Sequence, residues 1–138
     1  MTPVSDIIAW GAEHSTLGGV VQKVASQTGF AVSKDPFPEE GIFVRSDQYS
    51  FVKQGIPSLF VDGGVESTTP GVDALAMFKK WLVTNYHSPK DDVTQPIQYQ
   101  TSARFAGFAF ALGHAIAMAP QPPRWNENDF FGPKFGRR

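Results

Sequence analysis

The chain has 138 residues, 41% of them hydrophobic, with 12 Lys plus Arg against 13 Asp plus Glu and a net charge of −1. That length fits one domain able to bury a real core, and a mean hydropathy of −0.20 places it with globular rather than disordered chains. The near-zero charge gives no electrostatic footprint for nucleic acid or an anionic membrane. The absence of cysteine excludes disulfides and thiolate metal sites. No apolar run reaches the roughly 18 residues that a membrane span needs, and the first residues lack the basic-then-apolar pattern of a secretory leader, so none is expected there. The compartment is not readable from these residues.

Val4 to Trp10 is β-branched and aromatic, closes at Gly11, and is predicted as a strand. Ser15 or Thr16 is the predicted N-cap of a helix with Leu17, Val20, Val21, Val24 and Ala25 at helical spacing and Gly29 as its stop. Gly18-Gly19 near its start predicts close backbone packing. Phe30 to Ser33 reads as a short strand, and two prolines make Asp35-Pro36-Phe37-Pro38 irregular. The adjacent Glu39 and Glu40 invite a catalytic reading, but paired carboxylates on a loop are ordinarily solvated. Ser46 or Asp47 is the expected cap of a short helix through Lys53. Ile56 to Val61 is short and almost wholly apolar, which predicts a buried parallel strand, with Asp62-Gly63-Gly64 leaving its end.

Val72 to Asn85 is predicted as a helix with Leu75, Phe78, Trp81 and Leu82 on one face and Lys79 and Lys80 on the other. The longest predicted helix runs from Thr101 to Met118. One stripe holds Phe105, Phe108, Ala109, Leu112 and Ile116, and a second holds Ala106, Phe110 and Ala117, so it wants cover on both sides. His114 inside it reads as a packing or hydrogen-bonded residue. Residues 120–138 form a Pro/Phe/Gly-rich tail after an α/β domain at 1–119. The expectation is that Trp125 and Phe130-Phe131 pack onto the domain and that the basic end is loose; a nucleic-acid arm is disfavoured by the few scattered basic residues.

Between the last two long helices lies Tyr86-His87-Ser88-Pro89-Lys90-Asp91-Asp92. A histidine on a proline-braked loop can be held and aimed, and neutral imidazole is the commonest protein ligand for zinc. A neighbouring tyrosine hydroxyl can donate to a developing oxyanion. The plainer reading is a helix end followed by a solvated polar loop.

Arg45 to Val61 (RSDQYSFVKQGIPSLFV), Asn85 to Asp92 (NYHSPKDD) and the phenylalanine-rich helix, in this order, resemble the C-terminal part of the di-zinc exopeptidases, the family of the leucyl aminopeptidases and glutamate carboxypeptidases. Gly11 to Leu17 (GAEHSTL), Pro38 to Phe43 (PEEGIF) and the PPRW near the end resemble one bacterial branch of it. The resemblance implies an α/β fold, here a partial one with about three strands of a mixed sheet packed by three or four helices. It implies that His87 matches the family's last zinc ligand, Tyr86 a tyrosine that hydrogen-bonds the tetrahedral intermediate, and Asp47 an outer-shell aspartate. Gln48 departs from the family's usual histidine. Glu39 and Glu40 do not match the family's catalytic pair, which lies upstream of every segment present, as do its first histidine and two aspartates.

The complete family hydrolyses peptide bonds at a chain end with two metals, a bridging carboxylate and a glutamate base. One histidine cannot fix two zinc ions, since each needs several ligands. The expectation is therefore a truncated relative, inactive as this chain alone and without bound zinc. The alternatives are a non-catalytic module that binds peptide ends or a protein partner, and a new metal site of His87 with Asp91 or Asp92, within one chain or across a dimer interface. Loss of half the fold should bare apolar surface, most of all on the helix from Thr101, so self-association or a complementary chain is expected. Peptide is the substrate in the complete family, and neither nucleic acid nor membrane is expected as a partner.

Overall fold

A computed structural model describes residues 2–136. Its centre is strand β1 (Asp6–Trp10), whose five residues are all buried. Side chains alternate across a strand. Ile7 and Ala9 therefore enter one core with Val21, Val24, Phe108 and Leu112, while Ile8 and Trp10 enter a second with Phe43, Val52 and Phe131. Helix α1 (Leu17–Thr28) leads from β1 to β2 (Ala31–Ser33), which pairs parallel to β1. Gly29, at φ 75°, closes α1 in the left-handed conformation that the sequence predicts for a stop. Gly18 packs against the Ala12 carbonyl with no room for a Cβ, whereas Gly19 faces open space.

Two single-turn helices follow, α2 (Ile42–Arg45) and α3 (Tyr49–Val52). Neither Ser46 nor Asp47 caps α3 with its side chain. Ser46 Oγ instead donates back to the Ile42 carbonyl at 2.8 Å, and the backbone carbonyls of Ser46 and Asp47 take the N–H groups of Tyr49 and Ser50. Glu39 and Glu40 are exposed as expected, and Glu40 pairs with Arg45 at 2.9 Å.

The predicted buried parallel strand is corrected. Strand β3 comprises Phe60–Gly63, runs antiparallel to β1 and is only partly buried, giving the mixed order β2-β1-β3. Pro57 lacks a ladder donor, and the run before Phe60 forms no strand, with Ile56 left 47% exposed.

Helix α4 (Ala74–Thr84) starts at Asp73, whose carboxylate accepts the Ala76 N–H at 2.8 Å. Its apolar face meets Phe37 through Phe78, with ring centroids 5.8 Å apart. Helix α5 (Tyr99–Ala117) covers the first core together with α1. It is covered on one side only: Phe108 and Leu112 are buried, but Phe110 is 75% exposed. His114 is exposed on that open side and stacks on Phe110 with no hydrogen bond to its ring among the described residues, which corrects its expected role inside the packing. No helix of the described residues is long and apolar enough to cross a membrane.

The tail returns across the second core. Trp125 Nε1 donates to the Gly55 carbonyl at 3.1 Å, and Phe131, the first residue of α6 (Phe131–Phe135), is buried. Phe130 stays 62% exposed, and the basic end at Arg137 and Arg138 lies outside the described residues.

Asp6 secures the sheet. It is fully buried, and its two carboxylate oxygens accept the N–H groups of Val65 at 3.1 Å and Glu66 at 2.8 Å. Its own carbonyl accepts Gly64 N–H at 2.9 Å. A Cβ at Gly64 would overlap this carboxylate, so only glycine lets the chain turn so close to it. Asp6→Ala removes the shared acceptor of two partly buried N–H groups and should cost about 1–3 kcal/mol. Gly64→Ala should destabilise by steric overlap while leaving the carboxylate in place. Urea denaturation of both variants measures this; a loss under about 1 kcal/mol for Asp6→Ala would contradict the role.

Candidate functional site

The loop after α4 is built from local hydrogen bonds. Asn85 closes the helix, and Tyr86 N–H reaches back to the Trp81 carbonyl at 3.2 Å. The chain then turns through His87 at φ 54°, a left-handed conformation uncommon for a residue with a Cβ. Ser88 Oγ donates to the Asn85 carbonyl at 2.6 Å, and Trp81 Nε1 donates to Gln95 Oε1 at 2.7 Å, which fastens the far side of the loop to α4. The rings of Tyr86 and His87 stack with centroids 3.7 Å apart, and Tyr86 leans on Trp81 at 5.3 Å. Both residues are exposed, Tyr86 by 46%. The left-handed backbone at His87 leaves both stacked rings facing outward.

Asp47 stands elsewhere, beside a shallow cavity with Ser46, Gln48, Leu59 and Phe60. It is exposed, and Gln48 Nε2 donates to the Phe43 carbonyl at 2.7 Å. No hydrogen bond or ring contact among the described residues joins Asp47 to Tyr86 or His87. Asp91 and Asp92 are occupied within their own loop. Asp91 Oδ1 accepts Gln95 Nε2 at 3.2 Å, and Asp92 Oδ1 accepts both the hydroxyl of Thr94 at 2.6 Å and its N–H at 2.8 Å. The Thr94 hydroxyl and then its N–H hold the Asp92 carboxyl below the ordinary carboxylate range. Among the described residues, no three His, Cys, Asp or Glu side chains are grouped so as to hold a metal ion.

A second cavity of about 450 Å³ opens at the carboxyl ends of the parallel strands β1 and β2, bordered by Trp10, Glu13, Gln22, Ser33, Lys34 and Asp35. That is where open α/β sheets gather ligands. The indole Nε1 of Trp10 is buried without a hydrogen-bond partner among the described residues.

Residue patterns missed one pairing. The Nδ1–H of His14 donates to Asp129 Oδ2 at 2.7 Å, while the other oxygen of Asp129 accepts Phe131 N–H at 2.8 Å. The imidazole is packed between Phe43, stacked at 5.0 Å, and Phe131, edge-on at 4.7 Å, and its Nε2 lies 3.6 Å from Glu13. Two partners 115 positions apart leave no spacing signal. The pair locks the tail onto the turn after β1. It is held in place by Asn126, whose N–H donates to the His14 carbonyl and whose side chain donates to that of Glu13.

The mixed α/β sheet is consistent with a partial α/β peptidase fold. Residues 2–112 match the model of Peptidase family M28, and the chain belongs to that family. No curated protein and no solved structure matches it.

Asp129→Ala should release Phe131 and the tail, seen as faster tryptic cleavage after Arg124 than in the unaltered protein; equal rates would contradict the clamp. At Asp62 on β3, partial burial raises the carboxyl above its ordinary value, against the lowering effect of the Gly63 N–H it accepts. The residue keeps some solvent contact, so the effect on stability is small. The folded state then holds a proton more readily than the unfolded one. Stability is thus lost as pH rises from the ordinary carboxylate value through the raised folded value. Asp62→Asn keeps the acceptor for Gly63 and should raise the thermal midpoint at neutral pH, with no gain below the carboxylate range.

Proposed function

We propose that these residues form the C-terminal part of a zinc-exopeptidase fold and that the chain alone does not hydrolyse peptides. In this reading His87 is the family's last zinc ligand, Tyr86 is the hydroxyl that would face the oxyanion, and Asp47 belongs to the outer shell. The zinc of the complete family would polarise the scissile carbonyl and activate water at a peptide's end.

The residues present do not fit that centre. A zinc site in a metallopeptidase takes about three protein ligands and a water, and His87 has no two acidic or imidazole neighbours grouped with it among the described residues. This observation carries the reading. What the chain's own residues supply is a fixed, outward-aimed imidazole and a phenol stacked on it, with Trp81 and Gln95 bracing the loop. Aminopeptidase specificity, the truncation and the lack of activity are parts of the same proposal.

A second reading, a non-catalytic module for a peptide or protein partner, is favoured by one feature: α5 leaves an apolar face open to solvent.

Zinc content by elemental analysis and hydrolysis of an amino-acid p-nitroanilide, with added zinc and with a chelator, test the first reading. The expected result is less than one zinc per chain and no chelator-sensitive turnover. Hydrolysis that chelator abolishes and His87→Ala removes would overturn it.

A further inference from the structure

The open side of α5 is more regular than a merely uncovered helix. Tyr99, Ala103, Ala106, Phe110, Gly113 and Ala117 follow one another at alternating spacings of four and three. That is the a/d pattern of a two-helix seam. All six are exposed, Tyr99 by 74% and Phe110 by 75%, and a Cβ built at Gly113 meets nothing within 4 Å. The opposite stripe, centred on Phe108 and Leu112, is the one spent on the protein's own core. No acidic residue lies on α5. Its single permanent cation, Arg104, is folded away from the seam, with its guanidinium 4.6 Å over the Phe30 ring and donating to the Gly29 carbonyl.

We propose that this seam is an isologous interface with a second copy of the same chain, the two α5 helices packed antiparallel. The residue sizes select that direction. Antiparallel about the seam's midpoint, Phe110 lies opposite Ala106, Tyr99 opposite Ala117, and Ala103 opposite Gly113. Each aromatic knob meets a small residue, and the third pair permits close backbone approach. In a parallel pair Phe110 would meet Phe110 and Tyr99 would meet Tyr99, while the alanines faced alanines across a gap. A two-fold axis needs a self-complementary patch of this sort.

The area suffices for a modest dimer. An aromatic side chain offers about 150–250 Å². At three-quarters exposure Phe110 and Tyr99 together supply roughly 300 Å². Met118, 71% exposed beside the seam, and the open Ala and Gly positions bring each copy to about 600 Å². The pair then buries at most about 1,200 Å², the lower edge of specific interfaces, so a reversible dimer is expected rather than a permanent one. A net charge of −1 per chain adds almost no repulsion between copies. The seam uses none of Asp47, Tyr86 or His87, so its test and the test of the peptidase reading fail separately.

The lack of native cysteine makes the test clean. Sedimentation equilibrium of the full chain over a micromolar range should give a monomer–dimer equilibrium that Phe110→Glu and, separately, Ala106→Glu shift to monomer by at least about tenfold in Kd, equal to about 1.4 kcal/mol. Circular dichroism melts of both variants check that they remain folded. Copies carrying Ala103→Cys, mixed under mild oxidation with longer tagged copies carrying Gly113→Cys, should form the mixed disulfide in preference to either homodimer. A monomer at every concentration, unchanged association in both folded variants, or preferential Ala103→Cys self-pairing would each overturn the proposal.

Discussion

Two oxygens of one buried carboxylate hold the sheet's geometry. Asp6 opens the central strand and takes the N–H groups of the segment leaving β3, which ties the start of β1 to the end of β3 in a single grip. A carboxylate so deep is tolerable only because protein donors replace water at both oxygens. Everything else is placed relative to β1: the α1–α5 layer lies on the face of Ile7 and Ala9, and the aromatic layer of Phe43, Val52 and Phe131 lies on the face of Ile8 and Trp10. The unpartnered Nε1 of Trp10 is the one buried side-chain polar atom among the described residues that this arrangement leaves unmet.

The three long helices were legible in the residues because their signal is periodic, whereas the single-turn α2 and the short α6 were not. Leu17, Val21, Val24 and Ala25 recur at 3.6-residue spacing and are the residues buried in α1. The open second stripe of α5 was legible for the same reason. Strand β3 was not. A short apolar run announces a strand but gives neither its direction nor its exact residues, and the ladder formed further along, past the Pro57 break and into Asp62-Gly63. Asp6 was hidden inside an apolar strand pattern, where one polar residue carries no spacing of its own. His14 and Asp129 meet only through tertiary folding.

The Tyr86-His87 loop shows what a sequence can and cannot place. Its residues were singled out by resemblance to a family, and the chain belongs to family M28. The φ of His87 and the stacking of its ring on Tyr86 are three-dimensional facts without a linear signature. Around them the chain provides local bracing through Ser88, Gln95 and Trp81, which fixes direction, but no ring of further ligands.

The tail's return has a consequence for biosynthesis. The second core contains Phe131, held through Asp129 by His14 and braced by Trp125 on Gly55. During translation, therefore, the face of β1 that carries Ile8 and Trp10 stays unsealed until residues near position 131 have cleared the ribosome. The α1–α5 layer, whose buried members end at Leu112, can close earlier. The nascent protein is thus asymmetric, one side of its sheet sealed while the other still awaits the segment around Phe131.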